Sequence, residues 1–348
     1  MVDPVVATVP GRVLLAGDHL DWMCGGPCVS AAVGLRTTAT ALLTSATEHL
    51  SVIAYRPLHQ QRTVRVRDYA PTGDDLDLVL TAACLSVYQA GAGPAGGVVL
   101  TRGEVPVGVG LGSSAAVAVA VAAAVLGARS GSPAGSAGVD RDLVLRMAGE
   151  AERRTSAAGV STDVLGVAAG GLVRVEATAG PGVPRVAVLP ALADDEVALL
   201  LIDTGRGRCP HAERVLVSRW VARDRDVVRY ADATARVVDE VTDALRQEPV
   251  SWQELGVLCT AAHHLLSTRA RASTVLLDAA LATAVDHGAY GGKAAGGVVG
   301  GGAAFAFVPR DRLFPVQAAL RALPVEVTVV STCAAGLTYP HSSVGMTA

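Results

Sequence analysis

Aromatic residues make up only 3% of this 348-residue chain, so its cores must be built from Val, Leu and Ala rather than from rings. Long basic clusters are missing, and a net charge of −3 offers no positive face to nucleic acid. The opening MVDPVVATVPGR lacks a basic segment followed by an apolar one, so no secretory signal is expected. The six cysteines (24, 28, 84, 209, 259 and 333) are scattered, as reduced thiols in a cytoplasmic protein are. Cys24 and Cys28 are the one close pair, and with no second pair nearby a zinc site is not expected. The length exceeds the roughly 250–300 residues at which single cores stop growing, so two domains are expected.

Charge is also missing from Val105 to Ala128, between Glu104 and Arg129. Pro106 and the alternating Gly108, Gly110 and Gly112 make the first part of this stretch a loop, and the Ala-rich part from Ala115 onward reads as helix. Ser113 and Ser114 stand at the join, where a hydroxyl suits the helix N-terminus. Length alone permits a membrane span, but only about 14 residues are good helix formers, which fits a buried core helix. From Ala115 to Val139 there is no Asp or Glu, so the acidic ribose contact of a dinucleotide site is absent. No Lys adjoins Ser113-Ser114, which excludes a Walker-type loop. What stays open is a tight turn before a buried helix, or a phosphate loop of another kind, where free N–H groups and the helix dipole favour an anion.

The run Pro106-Val107-Gly108-Val109-Gly110-Leu111-Gly112-Ser113-Ser114-Ala115 resembles the second motif of the GHMP kinases, the family of galactokinase, homoserine kinase, mevalonate kinase and phosphomevalonate kinase. Pro10-Gly11-Arg12 and Gly17-Asp18-His19-Leu20-Asp21-Trp22, followed by Gly25-Gly26, resemble the first motif in its galactokinase form. Asp18 stands where that form has glutamate, and Trp22 where it has tyrosine. On its own the polar cluster reads equally as a surface loop. Glu152 precedes Asp163 by eleven residues, as the magnesium-binding glutamate precedes the catalytic aspartate in mevalonate kinases. Without that resemblance, Glu150 and Glu152 read as exposed acids paired with Arg153 and Arg154. The stretch Gly288–Ala303 resembles the third motif, with Ala295 replacing a hydroxyl residue and a longer step from Gly296 to the glycine triplet.

Elsewhere the pattern predicts strand, turn, strand across residues 5–17 around Pro10-Gly11, and strands within 29–57. Helices are predicted at 75–90 and at 141–154, the latter with Leu143, Met147 and Ala151 on one face. Residues 130–138 read as a connector and Thr155–Thr162 as a small-residue loop delivering Asp163. A domain boundary is expected at Ala177–Pro184 or the apolar strands just after it. A buried strand is expected at 197–203 and helical material at 212–247, with Trp220 and the Val positions in the core. His263-His264 reads as packing or surface, and Gly288–Ala303 as a Gly-rich turn before a strand.

The resemblance implies a two-domain α+β fold, a ribosomal-protein-S5-like domain over 1–190 and a ferredoxin-like domain over 191–348, with the site between them. It implies ATP-dependent phosphoryl transfer to a hydroxyl of a small molecule. Pro106, Gly108, Gly110, Leu111, Gly112, Ser113, Ser114 and Ala115 would hold ATP, and Ser114 and Glu152 would hold Mg²⁺. Asp163 would take the acceptor proton and Arg12 would hold Asp163 ionised. Asp18, His19, Asp21, Gly25, Gly26, Thr204, Gly205, Gly296 and Gly297 would line the acceptor. The Asp18–Asp21 cluster points to a sugar or polyol, phosphorylated at the anomeric hydroxyl. The Glu152–Asp163 segment points to a non-sugar alcohol as alternative. A catalytically silent sugar and ATP sensor is a second alternative, and a nicotinamide oxidoreductase the outside option. No nucleic-acid or membrane partner is expected, and the chain is expected to be a monomer or homodimer.

Overall fold

The computed structural model describes residues 3–91, 95–130, 138–155, 161–176, 185–192, 196–207, 209–297 and 299–340. The boundary expected at 177–184, most of the 130–138 connector, the middle of the 155–162 loop and Val298 of the third motif lie outside them.

The first sheet is organised on β2 (Pro27–Thr44). One edge of β2 pairs antiparallel with β1 (Val5–Ala16). The other edge is shared by β6 (Leu172–Glu176), along residues 27–31, and β5 (Gly96–Gly103), along residues 37–44. β5 runs parallel to β3 (His49–Arg56), β3 pairs with β4 (Gln60–Arg65), and β7 (Arg185–Val188) borders β6. The turn expected at Pro10-Gly11 is corrected: β1 is one strand with a register shift at that step, where Gly11 lies against the Leu111 carbonyl. A bulge re-aims the strand without ending it, and Arg12 follows directly.

Three helices pack with this sheet, α2 (Asp77–Gln89), α3 (Ser113–Ser130) and α5 (Ser161–Ala169), and α4 (Arg141–Thr155) packs on those helices. α3 is long and apolar enough to cross a membrane, but 67% of it is buried inside the protein, against β1, β2, α2 and α4. Its alanines suit that place, because small side chains let backbones approach on every side. The same packing corrects the expected face of α4. The fully buried positions are Val144, Ala148, Ala151 and Glu152, while the bulkier Leu143 and Met147 flank the contact half-buried.

The second sheet runs β11 (Glu326–Val330), β8 (Val197–Asp203), β10 (Ala303–Pro309), β9 (Gly291–Ala294), all antiparallel. The short β9 lies within the stretch expected as a turn, because Gly291 and Gly292 sit where backbone leaves no room for a side chain. Leu199 and Leu201 of β8 share a core with Phe305, Phe307 and Tyr230, whereas Leu200 and Ile202 face Leu277, Leu281 and Val316. Burial on both faces explains the unbroken apolar run of β8. Tyr230 belongs to α7 (Arg225–Ala244), which packs with α8 (Trp252–Leu265); α9 (Val275–Asp286) and α10 (Leu313–Leu320) cover the opposite face. The Leu199 core continues into Val13, Leu15, Val29 and Val33, so the two sheets are joined by one apolar interior. Residues beyond β11 return to the first sheet, where Thr338 pairs with Thr8 and Arg36 bonds the carbonyls of Ala335 and Gly336 at 2.8 and 3.0 Å.

Of the core positions expected in 212–247, Val227, Val237, Val238 and Val241 of α7 are buried, whereas in α6 (Pro210–Val221) Trp220 packs on the core only partly buried and Val215, Val217 and Val221 are exposed. His263 is buried and bonded to Asp278 at 2.9 Å, while His264 is exposed.

Candidate active site

The alternating glycines of the central loop have a backbone reason. Gly108, Gly110 and Gly112 have φ of 76°, 90° and 72°, a region that side chains disfavour. The loop carbonyls turn inward and are taken: Val109 O by the Ala303 N–H, Gly110 O by the Arg12 guanidinium, Leu111 O by the Arg12 N–H and Gly112 O by the Ala116 N–H. Among the described residues, none of the N–H groups from Val105 to Ala115 donates to these turn and loop carbonyls. A loop that turns its acceptors inward at the start of an 18-residue helix is a candidate anion site.

Arg12 leaves β1 beneath this loop. Its Nε and Nη2 donate to the two oxygens of Asp163 at 2.9 and 2.6 Å, a bidentate pair across 151 residues. Burial works against the charge of Arg12, and the Asp163 pair more than offsets it. The Arg12 side chain is 4% exposed and that of Asp163 25%, so the carboxylate is the reachable partner. Asp163 stands in the first turn of α5, rather than at the end of a loop.

Glu152 is 6% exposed, so it is not the solvent-paired acid of the bland sequence reading; Glu150 takes Arg153 and Arg154 instead. Burial pushes the Glu152 carboxyl up to about 7, the charge of Asp163 adds to the rise, and the Ser114 hydroxyl opposes it by hydrogen bonding. Among the described residues no group of three or more His, Cys, Asp or Glu is gathered for a metal. Two protein oxygens beside a phosphate loop nevertheless fit Mg²⁺, which takes few protein ligands and completes its shell with phosphate and water.

The first-motif loop carries α1 (Leu20–Cys24), closed by Gly25 at φ 68° and by Gly26 packed against Leu20. Asp21 accepts from the Trp22 N–H at 2.8 Å and from the Thr162 hydroxyl at 2.6 Å, so it meets the Asp163 segment directly. Burial pushes its carboxyl up to about 6. His19 receives the Trp22 indole N–H on Nδ1 at 3.2 Å, which places its own hydrogen on Nε2. Burial lowers its pKa to about 4, so the ring is neutral; Nε2 is buried with no partner among the described residues. Asp18 departs from expectation. It is 2% exposed and both carboxylate oxygens lie within 3.0 Å of Lys293 Nζ, inside the core and committed to that partner.

The remaining acceptor candidates serve as supports. Thr204 is buried and donates to the Gly302 carbonyl at 2.6 Å, and the Gly205 N–H bonds Asp203 at 2.8 Å. A Cβ on Gly296 would lie 2.3 Å from the Gly110 carbonyl and 2.9 Å from Arg12, so only glycine lets the third motif touch both other motifs. Gly297 lies on the His19 ring. Two features escape the sequence. Thr162 belongs to a run of small residues with no periodicity to single it out. A cavity of about 290 Å³ opens beside Gly108, Ser113 and Ser114, walled by Ala54, Leu78, Val79 and Val117, with Thr37 and Thr101 also lining it. Its walls come from five separate elements, and no local motif announces it.

The GHMP kinase N-terminal domain model matches residues 77–171, and the galactokinase galactose-binding signature matches residues 2–41. Lactococcus lactis galactokinase, solved with galactose, superimposes with a TM-score of 0.77 at 17% identity, over 97% of this chain and 95% of its own. The Methanococcus jannaschii mevalonate kinase gives 0.76 at 18% identity, over 93% of this chain and 97% of its own. Streptococcus pneumoniae phosphomevalonate kinase, in complex with phosphomevalonate and AMPPNP, gives 0.73 at 15% identity, over 94% and 99%. Among curated protein sequences, none matches significantly. The two-sheet α+β architecture, the three motifs on one cleft and both family models agree: the chain is similar to the GHMP kinases, phosphotransferases that act on alcohol groups, by sequence over residues 2–41 and 77–171 and by fold over nearly its whole length.

Proposed function

We propose that this chain transfers the γ-phosphoryl group of ATP to a hydroxyl of a neutral sugar or polyol, the anomeric one by its first-motif type. The observation that carries this reading is the bidentate Arg12–Asp163 pair, bonded on one side to the phosphate loop through Gly110 and set on the other beside Asp21 and Thr162. The loop N–H groups hold the phosphates, and the apolar cavity beside Ser113 takes the base. Ser114 and Glu152 would hold Mg²⁺, which supplies charge neutralisation on the phosphates when bound. Asp163 accepts the acceptor's hydroxyl proton as the O–P bond forms and the bond to the ADP leaving group breaks. Arg12 keeps Asp163 in place, and its charge opposes the negative charge that builds up.

Neutrality of the acceptor is supported by the charges around Asp21, where Asp163 is a second acid and Arg12 is already committed to it. An anionic acceptor would meet repulsion there. Asp21 and the His19 Nε2–H supply an acceptor and a donor suited to hydroxyls. The six free cysteines accord with a reducing, cytoplasmic setting.

ADP release with ATP and Mg²⁺ is the test, across free sugars, mevalonate and homoserine. One neutral sugar should give turnover that Asp163→Asn lowers about 10²–10⁴-fold. Turnover on mevalonate alone would keep the phosphotransferase and overturn the acceptor class. ATP binding without turnover on any acceptor would favour the sensor reading.

A further inference from the structure

The chain has 29 basic residues and a single lysine, Lys293, which is completely buried. Its ammonium meets four oxygens: Asp18 Oδ1 at 3.0 Å, Asp18 Oδ2 at 2.9 Å, Leu14 O at 2.9 Å and Ala294 O at 2.5 Å. Lys293 lies on β9 of the second sheet, and Asp18 at the end of the first-motif strand, 275 residues away. A buried ion pair earns little stability unless its remaining bonding capacity is filled, as it is here. The question is what so costly a pair holds.

Asp18 is followed by a bend. His19 has φ 67°, a left-handed conformation that a side-chain-bearing residue adopts only at a cost. Such strain persists only where the surroundings over-determine it. The Asp18 carboxylate is fixed by Lys293, and the Asp18 carbonyl accepts the buried Tyr230 hydroxyl at 2.7 Å. The His19 carbonyl accepts the Met23 N–H at 3.1 Å, and its ring accepts the Trp22 indole. Two residues past the bend, Asp21 reaches Thr162.

We propose that Lys293 and Asp18 form a positioning strut: the second sheet uses its one lysine to hold the His19 bend, and through it aims His19 and Asp21 at the acceptor. Neither residue touches the acceptor. Lys293 thereby sets acceptor affinity from outside the cleft, while nucleotide affinity rests on the loop at Gly108–Ser114. The inference relies on the acceptor reading of the Asp18–Gly26 loop, and the strut itself can be read without any acceptor.

The test compares Asp18→Asn, Lys293→Met and the double variant, which leaves no unpaired charge inside. With ¹⁵N-labelled indoles the three tryptophans give three N–H resonances. Trp22→Phe assigns one, and Trp252, packed on Phe307, serves as the folding control. In any variant that keeps the Trp252 resonance, the Trp22 signal should move toward a solvated indole and exchange faster. Acceptor KM should rise at least tenfold, with ATP KM and kcat within about twofold of the parent protein. An unchanged Trp22 resonance in such a variant overturns the strut, whether or not an acceptor has been found. A moved resonance with unchanged acceptor KM overturns its link to the acceptor. If all three variants lose the Trp252 resonance, the pair is a folding requirement and the positioning role is rejected. Absence of turnover in the parent protein would count against the acceptor reading and leave the indole result standing.

Discussion

The proposed phosphate and acceptor loops lie in the same cleft and are built on opposite principles. Residues 105–115 would recognise with backbone: the loop is uncharged, its glycines turn the carbonyls inward, and the neighbouring N–H groups are left to bind. Residues 18–26 would recognise with the side chains of His19 and Asp21, and the loop is propped by partners far along the chain: Lys293 holds the Asp18 carboxylate, Tyr230 the Asp18 carbonyl and Thr162 the Asp21 carboxylate. A phosphate looks alike in every nucleotide, so backbone groups suffice for it. Acceptors differ, and a loop propped from a distance can be retuned by changing its props.

The harshest way to break this division is at Arg12, which ties the 105–115 loop to Asp163 between the two. Arg12→Met leaves Asp163 and the Gly110 carbonyl without their donor, and kcat should fall about 10³-fold, measured by steady-state ADP release. ATP KM should rise as well, since the loop at Gly110 loses a support.

Asp21→Asn sharpens the acceptor side through pH. The folded carboxyl titrates at about 6, above its ordinary 3.8, chiefly because it is buried. The folded protein therefore holds the proton more tightly than the unfolded chain does. Stability from this group is fully present below about pH 4, declines as pH rises toward 6 and is flat above that. Relative to the parent, Asp21→Asn should gain on the order of 2 kcal/mol at pH 7 and almost nothing at pH 4, by urea unfolding at each pH. A gain at neutral pH bought with lost acceptor binding is the signature of a functional carboxylate. An equal offset at both values would show that burial does not govern it.

The mildest change tests the backbone side alone. Gly110→Ala forces a side chain to φ 90°, costing roughly 1–2 kcal/mol, and ATP KM should rise about tenfold with acceptor KM unmoved. Equal effects on both would erase the distinction between the loops.

Legibility in the sequence follows the same line. The phosphate loop could be read because its cause is local: alternating glycines, then a hydroxyl pair, then alanines. The buried strand β8 was equally plain, seven residues of which six are fully inside. The Arg12–Asp163 pair became visible only through motif resemblance, since nothing in either neighbourhood names the other. Glu152 was concealed by its own helix. Periodicity favoured Leu143 and Met147, but a helix packed on alanines buries its smallest stripe, and Glu152 lies on that stripe beside Ala148 and Ala151. Asp18 misled in the opposite way: its place in the motif suggested a ligand contact, and a lysine on the second sheet had already claimed it. Thr37 and Thr101, far apart in sequence, became neighbours of one cavity only when β2 and β5 paired.

One consequence concerns chemical reactivity. With its sole lysine sealed inside, the folded protein offers acylating reagents and aldehydes no side-chain amine at all. Lysine modification can then occur only in molecules that have opened between the two sheets. Its rate, followed at one site by mass spectrometry, becomes a direct count of those openings.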